Sequence, residues 1–170
     1  MNYLDRRDYI QKTLASSESA IKGQDFADKL GVTRQIIVKD IAILRASGAD
    51  IIATPEGYIT NKKDKNLNSK IIALSHERDE IEDELKTIVK YGGVIRDVIV
   101  EHQLYGEIKA VLMVKTIDDV EKFVKKFNEY KAEPLLKLTN GLHIHTILTE
   151  TKEQMDNIIY ELDKKGYLIK

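Results

Sequence analysis

Four histidines carry most of the chemical potential of this 170-residue chain: His76, His102, His143 and His145. The sequence has no cysteine, so disulfides and thiolate metal sites are excluded, and a transition-metal site must draw on His, Asp or Glu. The sharpest spacing is His143-Ile144-His145. Alternate side chains of a strand share a face, so both imidazoles point one way and Ile144 the other. That suits two ligands of one ion, although the same pattern also arises as two solvated or packed histidines. His76 supplies a third imidazole, where a short strand gives way to a helix. Glu84 follows eight residues later, roughly 80° beyond two full helical turns, so it shares a side with His76 only approximately. Glu77 and Glu80 compete for the same role. Three imidazoles and a carboxylate suit zinc, nickel or iron and leave room for an exchangeable ligand.

The elements that must place these residues are legible in the apolar spacing. Lys70–Leu74 reads as a strand. Glu77–Tyr91 reads as a helix with Ile81, Leu85, Ile88 and Val89 as its apolar stripe, ending at Gly92-Gly93. Val94–Val100 and Ile108–Val114 read as strands and Ile117–Tyr130 as a helix. Leu135–Leu138 and Leu142–Leu148 are predicted to form a hairpin around Thr139-Asn140-Gly141, Asn-Gly being a strong turn signal. Thr151–Lys165 is the last helix and Tyr167–Ile169 a terminal strand. This order implies an α+β domain, helices packed on a mixed or antiparallel sheet.

The first third of the chain has a different grammar. Arg6–Ala15 has Tyr9, Ile10 and Leu14 at helical spacing, and Gly23–Leu30 is a short helix broken by Gly31-Val32. Thr33 is a good N-cap for a further helix carrying Ile36, Ile37, Ile41 and Leu44. Ile51–Ile59 then alternates around Pro55-Glu56-Gly57, as a β-hairpin does. Helix, short helix, glycine turn, helix and hairpin make a winged helix-turn-helix. Such a turn lets the third helix project into a major groove. The residues at its start are Thr33, Arg34, Gln35 and, one turn on, Lys39. Arg suits guanine, Gln suits adenine, and Thr and Lys suit phosphate. The polar stretch Asn61–Ser69 reads as a linker, so the expected domains are 1–62 for DNA binding and 70–170 for the histidine site.

Net charge is −1, which does not advertise nucleic-acid binding. Residues 1–66 carry a net +2 and the remainder −3; the sign favours an N-terminal DNA module, and the size of the asymmetry decides little. The start, MNYLDRRDYI, has no apolar targeting segment and no apolar run approaches membrane-spanning length, so a cytoplasmic protein with no membrane contact is expected.

Two resemblances sharpen these readings. Gly31-Val32-Thr33-Arg34-Gln35 resembles the turn and recognition helix of the biotin-repressor-type winged helix. Ala73-Leu-Ser-His76, the helix through Glu84, Asp97–His102 with Tyr105-Gly106, and Gly141-Leu-His-Ile-His145 together resemble the three-histidine (3H) domain. Across the full chain the sequence is similar to the niacin-responsive repressors of NAD biosynthesis and nicotinate transport genes. The resemblance implies a metal held by His76, Glu84, His143 and His145, which places Glu84 ahead of Glu77 and Glu80. It implies one divalent transition metal per chain, nickel or zinc first and iron next. It also implies nicotinic acid as co-repressor and operator DNA as partner. A homodimer is expected because two recognition helices must meet two half-sites on one DNA face. Arg96, His102 and Tyr105 are the candidate effector contacts. A metal-sensing regulator is one alternative. A metal-dependent hydrolase is the other, but no nucleophile–base pair or phosphate loop accompanies the histidines.

Overall fold

The computed structural model describes residues 2–61 and 67–170, which fall into two compact units, residues 1–63 and 64–170. Residues 62–66, inside the expected linker, lie outside the described residues.

The N-terminal unit opens with α1 (Tyr3–Ser16), three residues earlier than its apolar spacing suggests because the Asn2 side chain caps it, accepting from the Leu4 and Asp5 amides. Then come α2 (Gly23–Leu30) and α3 (Arg34–Ala46), joined through Gly31 at φ 64. Thr33 caps α3, its side chain accepting from the Ile36 amide. Ile10, Leu14, Phe26, Ala27, Ile37, Ile41, Leu44 and Ile51 form the core. Ile36, expected on the inner stripe, is 37% exposed: it lies one residue, or about 100° of helix, off Ile37. Strands β1 (Ile51–Thr54) and β2 (Gly57–Thr60) pair antiparallel with Pro55-Glu56 as the connection. Gly57, at φ 133, is required there, since a Cβ would stand 2.4 Å from the Ile21 carbonyl oxygen. That close approach lets Ile21 and Tyr58 exchange backbone hydrogen bonds of 3.0 and 2.8 Å, fastening the wing to the α1–α2 segment.

The second unit is a four-stranded antiparallel sheet in the order β3-β6-β4-β5. Its elements are β3 (Asn68–Ser75), α4 (Ile81–Lys90), β4 (Val94–His102), β5 (Gly106–Val114), α5 (Ile117–Glu129), β6 (Leu142–Thr149) and α6 (Lys152–Lys164). Ile72 and Leu74 of β3, Ile95 of β4 and Ile147 of β6 pack with Leu85 and Ile88 of α4, Val120 of α5 and Ile158 and Leu162 of α6 in one core. The fold is the expected α+β with a winged helix-turn-helix before it, and three details are corrected. Asn68 and Ser69 belong to β3, paired with Thr149 and Leu148, rather than to a linker. Leu135–Thr139 is a 3₁₀ helix, not a strand. Its three-residue repeat buries Leu136 and leaves Leu138 exposed, and Asn140, at φ 50, closes it with its N–H on the Leu136 carbonyl. The Asn-Gly signal therefore ends a helix, and β6 enters the middle of the sheet. The terminal strand reduces to a single bridge, Leu168 to Leu74.

Candidate metal centre

The first turn before α4 decides which carboxylates are available. Arg78–Glu80 is a 3₁₀ turn, and the Glu77 N–H donates to Glu80 Oε2 at 2.9 Å. Glu77 and Glu80 are thus engaged in starting the helix. Glu84 is different: it falls at i+3 from Ile81 and i+4 before Ile88, on the buried stripe of α4 itself. On β6, register aligns His143 with Leu74 and His145 with Ile72, so both imidazoles share the sheet face that packs against the helices. His76 follows β3 directly. Gly141, at φ 95, lets the start of β6 reach it, for a Cβ there would stand 2.7 Å from the His76 carbonyl oxygen.

These placements converge. His76 Nε2 lies 2.6 Å from Glu84 Oε2, His143 Nε2 lies 3.4 Å from the same oxygen, and His145 Nε2 lies 2.9 Å from Glu84 Oε1. The last contact is close but off the hydrogen-bonding direction, so buried Oε1 makes no directed hydrogen bond. All four side chains are buried, at 6% exposure or less. One ligand atom each from His76, Glu84 and His143 lie within 4.8 Å of one another.

The other ring nitrogens settle what this arrangement can do. Nδ1 of His76 meets the Glu77 carbonyl at 2.9 Å, Nδ1 of His143 the Gly141 carbonyl at 2.8 Å, and Nδ1 of His145 the Asp97 carbonyl at 2.6 Å. A carbonyl only accepts, so each ring carries a hydrogen on Nδ1 and turns Nε2 toward the centre. There each faces a carboxylate, which when ionised also only accepts. Lone pairs facing lone pairs in a buried site repel, and only a cation between them, a proton or a metal ion, satisfies both. This donor set fits a divalent transition metal. Burial alone would raise the Glu84 carboxyl, but the charge of His145 and the close imidazoles of His143 and His76 hold it well below the usual carboxylate range. Burial alone would lower His76 and His145, and the Glu84 carboxylate overrides it and raises both.

Four supporting residues, Tyr167, Asp83, Lys165 and Asp97, escaped the sequence reading. The Tyr167 ring lies 5.0 Å from that of His76, and its hydroxyl donates to Asp83 Oδ2 at 2.9 Å. Lys165 joins the same carboxylate at 2.7 Å. Asp97, fully buried, supplies the carbonyl that holds His145. An acid inside the apolar run Val94–Val100 is the only signal the sequence offered, and it does not point to His145.

The remaining candidate residues lie elsewhere. His102 Nδ1 accepts from the Leu104 and Tyr105 amides at the β4–β5 turn, and its ring stands 5.2 Å from that of Tyr105. Arg96 Nε donates to Asp97 Oδ2 at 3.1 Å. Six residues of strand, about 20 Å, separate Arg96 from His102. The two therefore occupy separate places. In the N-terminal unit Thr33, Arg34, Gln35 and Lys39 are all exposed at the start of α3, with Val38 beside them. Behind them Asp40, 2% exposed, is gripped by Arg6 at 2.5 Å and Arg7 at 2.8 Å, which ties α1 to α3.

Comparison with known proteins completes the picture. The 3H domain profile matches residues 69–170 and an HTH domain profile matches residues 6–59. A probable transcription repressor, NiaR, of Thermotoga maritima is 44% identical over 97% of this chain and 94% of its own length. The transcription repressor NadR of Bacillus subtilis is 37% identical over 98% of this chain and 94% of its own length. This chain belongs to the NiaR/NadR family of 3H-domain transcription repressors. Its relatives are repressors rather than enzymes, so the histidine cluster is not read as a hydrolytic centre. An uncharacterized protein of Methanothermus fervidus is 37% identical over 58% of this chain, and that match covers only 16% of the larger protein. Among the described residues no helix is long and apolar enough to cross a membrane.

Proposed function

We propose that the chain is a cytoplasmic repressor of NAD-biosynthesis and niacin-transport genes, with nicotinic acid as co-repressor and one divalent transition metal per chain. One observation carries the metal reading: three buried imidazoles donate Nδ1–H to carbonyls and aim Nε2 at one buried carboxylate. His76, Glu84, His143 and His145 would hold the ion, nickel or zinc in first place and iron next. A bound ion supplies a Lewis-acidic positive charge where the ion-free protein needs protons.

The DNA half follows from family membership and from exposed polar side chains at the head of α3. Arg34 and Gln35 are the base-reading candidates, and Thr33 and Lys39 the phosphate contacts. Their neighbours Ile36 and Val38, both partly exposed, suit thymine methyl groups. A homodimer places two such helices on one face of an operator. Effector control requires that nicotinic acid bind one arrangement of the dimer better than another, since only differential affinity shifts a population. Of the candidate effector contacts, His102 and Tyr105 stand together while Arg96 stands apart on Asp97, so one nicotinic acid would meet either that pair or Arg96 and not all three.

Elemental analysis of the purified protein, paired with operator gel shifts with and without nicotinic acid, tests this reading. One equivalent of metal and tighter binding with nicotinic acid are expected. A shift that responds to metal but not to nicotinic acid at saturating metal would leave a metal sensor instead.

A further inference from the structure

His145 differs from the other two imidazoles in how its orientation is fixed. His76 and His143 hold carbonyls one and two residues away, whereas His145 reaches across the sheet to Asp97, 48 residues distant. Asp97 stands opposite Thr146 in the β4–β6 ladder, at the point where the register shifts between Ile95 and Asp97. There the Thr146 N–H donates to Asp97 Oδ1 at 3.0 Å. The side chain of Asp97 thus accepts an amide on the strand from which His145 projects, while its backbone carbonyl accepts the ring N–H of His145. The other carboxylate oxygen, Oδ2, is met by Arg96 Nε at 3.1 Å and Lys109 Nζ at 3.2 Å, so the acid is fully buried yet neutralised.

We infer that Asp97 is a positioning residue for the metal centre: its carboxylate holds the Thr146 amide in the bulged ladder, and this leaves its carbonyl to fix the ring orientation and Nδ1–H tautomer of His145. The inference rests on the metal reading above and deepens it. A carboxylate oxygen substituting for a ladder carbonyl is what the bulge makes possible. A ligand's hydrogen-bond partner sets which nitrogen is presented to the ion, and losing such a partner weakens binding about 10- to 100-fold. Alanine at position 97 cannot hold the Thr146 amide, so the backbone carbonyl is drawn back to it and His145 loses its anchor. Asparagine keeps an oxygen at Oδ1.

The test uses the full-length protein with zinc and cobalt(II) as probes. In zinc-loaded wild type, long-range nitrogen–proton NMR should show a slowly exchanging Nδ1–H on His145, coupled to the Asp97 carbonyl. This measurement needs no variant. Zinc affinity by chelator competition should fall about 10- to 100-fold in Asp97→Ala and stay close to wild type in Asp97→Asn. The d–d spectrum of the cobalt form should change in Asp97→Ala alone. A purely structural loss would instead lower the melting temperature of the ion-free protein and leave the cobalt spectrum of the folded fraction unaltered. Absence of the His145 Nδ1–H signal in zinc-loaded wild type, or wild-type affinity in Asp97→Ala, would overturn this inference alone. A wild-type protein that takes up no zinc, nickel or iron would overturn the metal reading and this inference together.

Discussion

Glu84 Oε2 meets His76 Nε2 at 2.6 Å inside the hydrophobic core of the second unit, on the same helical stripe as Leu85 and Ile88. A buried carboxylate ringed by imidazoles is costly unless a cation joins them. Saturation at 100 times the dissociation constant stabilises a folded protein by about 2.7 kcal/mol. Zinc or nickel should therefore raise the melting temperature of this unit, and chelator should reverse the rise. In His143→Ala or Glu84→Gln the metal-dependent rise should vanish. A rise of wild-type size in both variants, followed by scanning calorimetry, would sink the ligand set.

The pH dependence of the same site runs in opposite directions with and without metal. His76 and His145 have raised pKa values in the ion-free fold. Their stabilising contribution is complete below the ordinary imidazole value of about 6.5, and is lost as pH rises through the raised ones. Glu84 is depressed, so its contribution is present above the ordinary carboxylate range and lost as pH falls through its lowered value. Metal must displace the imidazole protons, so its affinity grows as pH rises. Melting curves with and without zinc across neutral pH should show an increment that widens toward alkali. An increment that narrows would contradict the proton–metal exchange.

Much of this was legible in the sequence, for reasons that differ by element. Thr33 with Ile37, Ile41 and Leu44 announced α3 because capping and a 3.6-residue period are local properties. The His143/His145 face followed from strand alternation alone. The choice of Glu84 over Glu77 and Glu80 did not, and needed a family resemblance. In hindsight the sequence held a clue: Glu84 falls within the apolar stripe Ile81, Leu85, Ile88, while Glu77 and Glu80 precede it. Leu135–Leu138 was misread because a leucine-rich run before Asn-Gly suits a strand as well as a 3₁₀ turn, and only the path of β6 through the sheet decides. Asp97 was invisible as an anchor, since its role depends on a bulge between strands far apart in the chain.

Asp40 should control the stability of the winged helix without touching the metal site. It is buried, and two arginines on α1 bond its two oxygens. Burial alone would raise its pKa, but the Arg6 and Arg7 hydrogen bonds and charges lower it. Hydrogen bonds to charged groups contribute about 1.5–3 kcal/mol each when buried. Arg6 and Arg7 retain some exposure, 14% and 21%, so Asp40→Ala should cost about 2 kcal/mol rather than the sum. The contribution is present above the ordinary aspartate range and lost as acid titrates the lowered value. Denaturant melts of the full chain should show the N-terminal unit weakened and the metal content unchanged. A loss below a few tenths of a kcal/mol would mean that the arginines are better solvated than paired.

Arg34 and Lys39 should fail differently on DNA, and the difference separates reading a base from holding a phosphate. Both are exposed on α3, Arg34 in its first turn and Lys39 one turn later. Arg34 Cγ and Nε lie 3.8 Å from the position a Cβ on Gly23 would take, so the base of its side chain runs past the start of α2. That packing limits the directions the guanidinium can take and favours a defined contact over a diffuse one. A bidentate arginine–guanine contact gives about 1–3 kcal/mol of discrimination. Arg34→Ala should therefore weaken operator binding by that amount while binding to unrelated duplex changes little. Lys39→Ala should weaken both duplexes alike and lower the salt slope by about one. Titrations of operator and scrambled DNA at several salt concentrations read both effects. If Arg34→Ala weakens the two duplexes equally, Arg34 holds the backbone, and the base-reading role passes to Gln35 or to the exposed Ile36 and Val38 on the same helix.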